Sequence, residues 1–422
     1  MRVKVIIALL AAMILVGALA YLNALTQAEV GNDGKRTVVT FWYTSGKFPL
    51  EKLIQEYNVS QDSVFVDGSY QGGYEALLQK LLLSVVTKST PAIAQVEISL
   101  ASQLVEYEAV MALNRFLNRE QFLEPEDFIP QIFASCVYGD SIYAIPTNVS
   151  EPMLYINRDL LKAAGFSRDY VPQTWEELRA ASRQVRALGD NYFGFDIRVE
   201  DWDVETFIWQ WGGDIIGNDG RSYVFDSPQA VAAIAFLVDM IKEKTAVWST
   251  GDVEKFLSGR AAFTNKSSAS YGHFIRYTNF DLDVAPLPAG PAGRMMTTGG
   301  ANVYFFKGHT EKEYRAALAF MKFLLGVRQQ IFWSMETGYM VSLWSTVESD
   351  TMKQIFAADP RRQQPYLAVK NARPRPRFGP YNSVNVDLVM NINAALQLLY
   401  TPGQALQESK KIALKKLERY YF

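Results

Sequence analysis

Cysteine is all but missing from this chain of 422 residues: Cys136 stands alone, which excludes an intramolecular disulfide and any metal site built from cysteines. Histidine is nearly as scarce. His273 and His309 leave almost no imidazole for acid–base work or for zinc ligation, and neither lies beside a G-x-S-x-G nucleophile turn, which is absent. An excess of positive charge is also missing. Lys plus Arg number 42 against 44 Asp plus Glu, a net charge of −2, so no basic field exists to neutralise a phosphate backbone, and nucleic acid is excluded as a partner. Gly72-Gly73 and Gly299-Gly300 lack the lysine or helix spacing of a phosphate-binding loop. Internal repeats and low-complexity runs do not occur. The length allows two or three domains, and a hydrophobic share of 49% argues against disorder.

What the sequence does contain begins with an export feature. Met-Arg-Val-Lys precedes an uncharged apolar run from Val5 to Leu22, the order of an export signal. Small-x-small sites fall at Ala18–Ala20 and Thr26–Ala28. The run is about 18 residues, near the lower limit for crossing a bilayer, so residues 1–28 are expected to be either a signal peptide or an N-terminal membrane anchor. Arg2 and Lys4 before it, with Glu29 and Asp33 after it, orient the rest outward. No cysteine near its end offers a bacterial lipid anchor. The expected location is the periplasm or the outer face of the cytoplasmic membrane.

From Thr37 onward strand and helix patterns alternate. VVTFWY reads as a strand, and LEKLIQEYN as a helix with Leu50, Leu53, Ile54 and Tyr57 on one face. SVFVDGSY, YEALLQKLLLSVV, AIAQVE and SLASQLVEYEAV continue the order. Such alternation predicts α/β architecture with a mostly parallel sheet, and ligands at the carboxyl ends of its strands, where Tyr43, Ser45, Tyr70 and Glu97 fall. A second α/β unit follows from about residue 147 to 265. Thr174 and Glu177 form a capping-box spacing, Pro228 sits in the first turn of the next helix, and Val231, Ile234, Val238 and Ile241 make its buried stripe. Residues 311–336 read as one long helical stretch. The lysines of the last helix read as a solvated face, and RPRPR as an extended segment.

Chemistry is harder to find. With 44 acids, two carboxylates in a cleft are expected by chance, so a secreted carbohydrate-active hydrolase remains one reading. The positive signal is aromatic: 22 Tyr, 25 Phe and 8 Trp, residues whose faces stack on sugar rings. Trp202, among acids in VEDWDVE, and Trp211 stand at positions suited to a ligand, whereas Trp42 on the first strand reads as core.

The order of segments resembles a known family. VVTFWYTSG, YQGGYEALLQKLL, PTNVSEPMLYINRDLLKAAGF, PQTWEELRAASRQV, TTGGANVYFFKG and METGYMVS run through the chain as in extracellular solute-binding proteins of sugar ABC importers (family 1, the maltose-binding type), the glycerol-3-phosphate binders in particular. That resemblance implies a two-lobed periplasmic-binding-protein fold of type II, each lobe a mixed, mostly parallel sheet flanked by helices. It implies lobe I at 35–146 and 263–307, lobe II at 147–262 and 308–422, and a cleft that closes on its solute. Tyr74, Ser150, Ser267, Gly300 and Tyr339 fall on the family's contact positions, with Glu97 near an acidic one. Where phosphate-ester binders carry a gripping arginine this chain has Asn385, which cannot neutralise a dianion. The resemblance therefore points to a mono- or oligosaccharide receptor delivering to ABC permease subunits, monomeric, with no cofactor, metal or catalysis. A receptor for glycerol-3-phosphate or a related phosphodiester, using Arg375 or Arg377, is the alternative.

Overall fold

The computed structural model describes residues 35–119, 124–249, 252–377 and 380–421; the apolar amino segment expected to direct export lies outside them. Among the described residues no helix is long and apolar enough to cross a membrane.

Ten strands build two five-stranded sheets. They are β1 (Thr37–Tyr43), β2 (Val64–Tyr70), β3 (Ile93–Glu97), β4 (Ala144–Ser150), β5 (Pro152–Asn157), β6 (Phe193–Ile197), β7 (Ala246–Trp248), β8 (Ala261–Ser267), β9 (Leu282–Pro286) and β10 (Gly299–Phe305). The first sheet has the order β2-β1-β3-β10-β4, the second β9-β5-β8-β6-β7. In the first sheet only β10 opposes its neighbours, and in the second only β5 does, so both sheets are mixed and mostly parallel. The β-branched and aromatic content of β1 suits this pleated, covered surface, and Val39, Phe41 and Tyr43 alternate into the core.

Among the described residues nine helices of ten residues or more cover the sheets and carry the site: α1 (Lys47–Ser60), α2 (Tyr74–Thr87), α3 (Trp175–Arg186), α4 (Asp201–Gln210), α5 (Pro228–Lys242), α6 (Glu311–Leu324), α7 (Val327–Thr337), α8 (Tyr381–Leu396) and α9 (Pro402–Tyr421). Leu50, Leu53, Ile54 and Tyr57 of α1 are buried, as their spacing predicts. On α5 the buried face is Ala230, Ala233, Ile234, Leu237, Val238 and Met240, while Val231 and Ile241 are only half-buried. Thr174 caps α3 by accepting from the Glu177 amide (3.2 Å), but Glu177 returns its carboxylate to the amide of Gln173 (2.7 Å), so only half of a capping box forms. The stretch 311–336 is two helices, broken at Gly326.

The lobe boundaries differ from those expected. β8 and β9 both pair antiparallel with β5, so residues 261–286 belong to the second sheet and the chain re-enters the first lobe only at Gly299. Helices α6 and α7 pack on the first lobe, where Phe320 meets Phe41 (5.9 Å between centroids) and Tyr57 (5.2 Å). The second lobe regains the chain with α8 and α9, whose Leu388, Ile392, Leu406 and Ala413 join its core. Lys410 and Lys416 of α9 pair with Asp226 and Asp387 rather than standing free in solvent. Among the described residues three crossings therefore link the lobes: Glu151 between β4 and β5, residues 287–298, and the stretch from about 344 to 377.

Candidate functional site

A cleft of about 630 Å³ opens between the lobes. Strand ends and helix starts supply its walls, because there the backbone runs out of sheet partners and side chains turn toward the gap. The first lobe contributes Tyr74 and Glu75 from the start of α2, Glu97 at the end of β3, Ser150 at the end of β4, Gly300 of β10, and Tyr339 after α7. From the second come Asp201 and Trp202 at the start of α4, Ser267 at the end of β8, and Asn382 and Asn385 on α8. Arg375 reaches in from the third crossing.

Eight of the ten residues singled out from the sequence line this cleft: Tyr74, Glu97, Ser150, Trp202, Ser267, Gly300, Tyr339 and Asn385. Tyr43 and Trp211 do not. Tyr43 shares the inward face of β1 with Phe41, is 1% exposed, and donates its hydroxyl to Glu51 (3.2 Å) inside the first lobe. Trp211 ends α4 at the far side from Trp202 and packs 5.3 Å from Phe236 against the second core. Trp202 is itself buried, yet it faces the cleft: a Cβ on Gly299 of the opposite lobe would lie 2.7 Å from its ring.

Hydroxyls form one side of the site. The Ser45 and Tyr74 hydroxyls are 2.5 Å apart, and Tyr74 lies 3.4 Å from the Tyr339 hydroxyl. Burial, then the neighbouring Tyr339, raises the Tyr74 phenol, so it stays a neutral donor. Gly300 holds φ at +115°, and a Cβ there would fall 1.8 Å from the Asn148 carbonyl oxygen. Only glycine lets β10 pass β4 this closely.

The centre of the site is ionic. Arg375, in the extended RPRPR segment, is only 4% exposed. Its Nε donates to both oxygens of Glu205 (3.1 and 3.0 Å), its Nη1 to Glu97 (3.1 Å), and its Nη2 pairs with Asp201 (2.7 Å). Tyr381 adds a hydroxyl to Glu205 at 2.6 Å. One oxygen of Glu97 also accepts from the Ser99 amide (2.8 Å) and hydroxyl and from the Leu100 amide (3.2 Å). Burial raises Glu205 to about 7 although Arg375 opposes it, and burial likewise raises Glu97. Burial works against the charge on Arg375, but Asp201, Glu205 and Glu97 together hold it protonated. A reciprocal capping box between Glu200 and Asp203 fixes the start of α4, so Asp201 and Glu205, four apart, face the guanidinium together.

Neither arginine is free to grip a phosphate. Arg375 is shared by three carboxylates, and Arg377 donates to the carbonyls of Val137 and Ala134 and lies 4.7 Å over the Tyr138 ring. Asn385 is 2% exposed and gives its amide N–H to the Asp201 carbonyl (3.2 Å). Sequence reading missed Ser99, Asp201, Glu205 and Asn382; the i, i+4 acids of EDWDVE were the available signal for two of them.

Residues 52–362 match the family described as bacterial extracellular solute-binding protein. The chain is similar to the sn-glycerol-3-phosphate-binding periplasmic protein UgpB of Escherichia coli strain K12, 26% identical over 426 residues, covering 94% of this chain and 96% of that one. Two solved structures share the fold. The cyclic alpha-maltosyl-1,6-maltose binding protein from Arthrobacter globiformis superposes with a TM-score of 0.79 at 21% identity, over 91% of this chain and 100% of that one. UgpB from Mycobacterium tuberculosis in complex with glycerophosphocholine gives 0.80 at 19%, over 92% and 100%. With the family match spanning more than half of its length, the chain belongs to the bacterial extracellular solute-binding proteins.

Proposed function

We propose that this protein captures a mono- or oligosaccharide in the interlobe cleft and hands it, chemically unchanged, to the permease subunits of an ABC importer. It acts as a monomer outside the cytoplasmic membrane, sent there, or held there, by the apolar amino segment. The observation that carries this reading is the pairing of a two-walled aromatic and hydroxyl-rich cleft with a single guanidinium already engaged by three carboxylates. Trp202, Tyr74 and Tyr339 offer ring faces for sugar C–H surfaces, while Ser150, Ser267 and the carboxylates meet hydroxyls. A phosphate dianion would enter against net negative charge. The named ligands of the relatives, glycerol-3-phosphate, glycerophosphocholine and a maltosyl-maltose, span both chemistries, and the acidic lining of this cleft supports the saccharide. A hydrolase needs one free acid and one free nucleophilic or basic carboxylate flanking the bond. Here Glu97, Asp201 and Glu205 converge on one arginine, and the other cleft acids, Glu75 and Glu200, are met by the Asn382 amide and by Arg198.

A thermal-shift screen against neutral sugars, polyols and their phosphates tests this. A ligand at 100 times its Kd stabilises the folded state by about 2.7 kcal/mol, which is readily seen. The expected outcome is a shift with a saccharide and none with phosphate esters. Asn385→Arg should then introduce phosphate-ester binding. Shifts confined to phosphate esters in the parent chain would contradict the proposal.

A further inference from the structure

We infer that the cleft prefers a saccharide bearing a cationic amino group over its neutral or N-acetylated counterpart, an inference that rests on the saccharide reading and narrows it to an amino sugar. Two independent features of the site point there.

The first is charge. Glu97, Asp201 and Glu205 share one guanidinium, so the cluster is net negative whenever more than one of the three is ionised. The side chain of Asp201 lines the cleft, remains 46% exposed and uses Oδ2 for Arg375. Glu75 on the opposite wall is exposed, and its partner across the cleft is the Asn382 amide at 3.5 Å. Glu200 is compensated by Arg198 and adds no net charge. No lysine lines the cleft among the described residues.

The second is an unanswered acceptor. Asn385 lines the cleft almost completely buried, and its Oδ1 has no hydrogen-bond partner among the described residues. A buried acceptor in that state is costly until a ligand brings a donor. An ammonium brings three donors and a positive charge to a cleft lined by Asp201, Glu75 and Asn385. The faces of Trp202, Tyr74 and Tyr339 attract a cation as well as a sugar ring. An N-acetyl group removes the charge, and a hydroxyl brings one donor where three can be used.

The test is a titration of the full chain with matched sets: glucose, glucosamine and N-acetylglucosamine, the corresponding galactose and mannose sets, and the β-1,4 dimers of glucose, glucosamine and N-acetylglucosamine. In at least one set the amino member should bind about tenfold more tightly than both of its partners at 50 mM salt. That ratio should shrink at 500 mM salt, where screening shortens to about 4 Å. Asp201→Asn and Glu75→Gln should each lower it. Equal or weaker binding by the amino member in every set overturns the inference and leaves the saccharide reading standing if neutral members bind. Absence of binding by every member of every set counts against both.

Discussion

Replacing Arg375 by alanine is expected to lower the unfolding free energy by about 3–5 kcal/mol at pH 8, the cost of stranding buried carboxylates without their cation. Glu205 is fully buried, and its charge is met by Arg375 and by the Tyr381 hydroxyl. The loss should shrink at pH 5. Burial raises Glu205 to about 7 from an ordinary 4.5, so in the native chain it already binds a proton at pH 5 and then needs no cation. The same sign governs the parent chain. Between about 4.5 and 7 the native state holds a proton that the unfolded state releases, so stability contributed at this group falls as pH rises through that window. Glu97, raised in the same direction, adds to the effect. Arg375→Lys should recover only part of the loss, because a point charge cannot bridge Glu205, Glu97 and Asp201 in one plane. Denaturant unfolding at the two pH values measures this; an equal loss at both would sink the role assigned to Glu205.

Gly300→Ala should be comparably damaging, about 4 kcal/mol or more. A methyl at that position meets the Asn148 carbonyl oxygen at 1.8 Å and must also adopt a φ of +115°. The obstacle is backbone of the neighbouring strand, so no rotamer relieves it, and the only escape is to part β10 from β4. These two strands border the cleft and lead into separate crossings between the lobes, so binding should fall with stability. Gly73→Ala is the matched control: it lines the same cleft with extended φ and no atom within 4 Å of its Cβ. Its effect should stay within about 1 kcal/mol, the cost of placing alanine where a glycine caps α2. Thermal unfolding of both variants decides the matter, and a Gly300→Ala protein as stable as Gly73→Ala would refute the close-approach account.

Local patterns in the sequence carried the fold further than they carried the site. The alternation from Thr37 to Glu97, the Ser227–Pro228 helix start and the apolar face of α1 follow from propensities that act over a few residues. Which sheet a strand joins does not. β4 and β5 are separated by Glu151 alone yet lie in different lobes, and β8 belongs with β5 rather than with the first sheet. The apolar face of α6 would fit either core, and only tertiary packing sends it to the first. Tyr43 is a different case: its period-2 match to Val39 and Phe41 placed it in the core, and the expectation that strand ends meet ligand overrode a legible signal. Arg375 was not legible. R-P-R-P-R is extended because of its prolines, and its partners stand 170 and 278 residues away, beyond the reach of any spacing rule.

The central claim is that a solute draws the two lobes together and leaves unaltered. Val86 on α2 and Leu399 beyond α8 are exposed on opposite lobes, and Cys136 is buried, so cysteines at 86 and 399 can be labelled selectively. A spin-label distance distribution between them, recorded while adding the saccharide found by screening, tests the claim most directly. It should shift saturably to shorter distance and revert on dialysis, with the saccharide recovered intact. A distribution indifferent to saturating saccharide, or a saccharide returned cleaved, would contradict it.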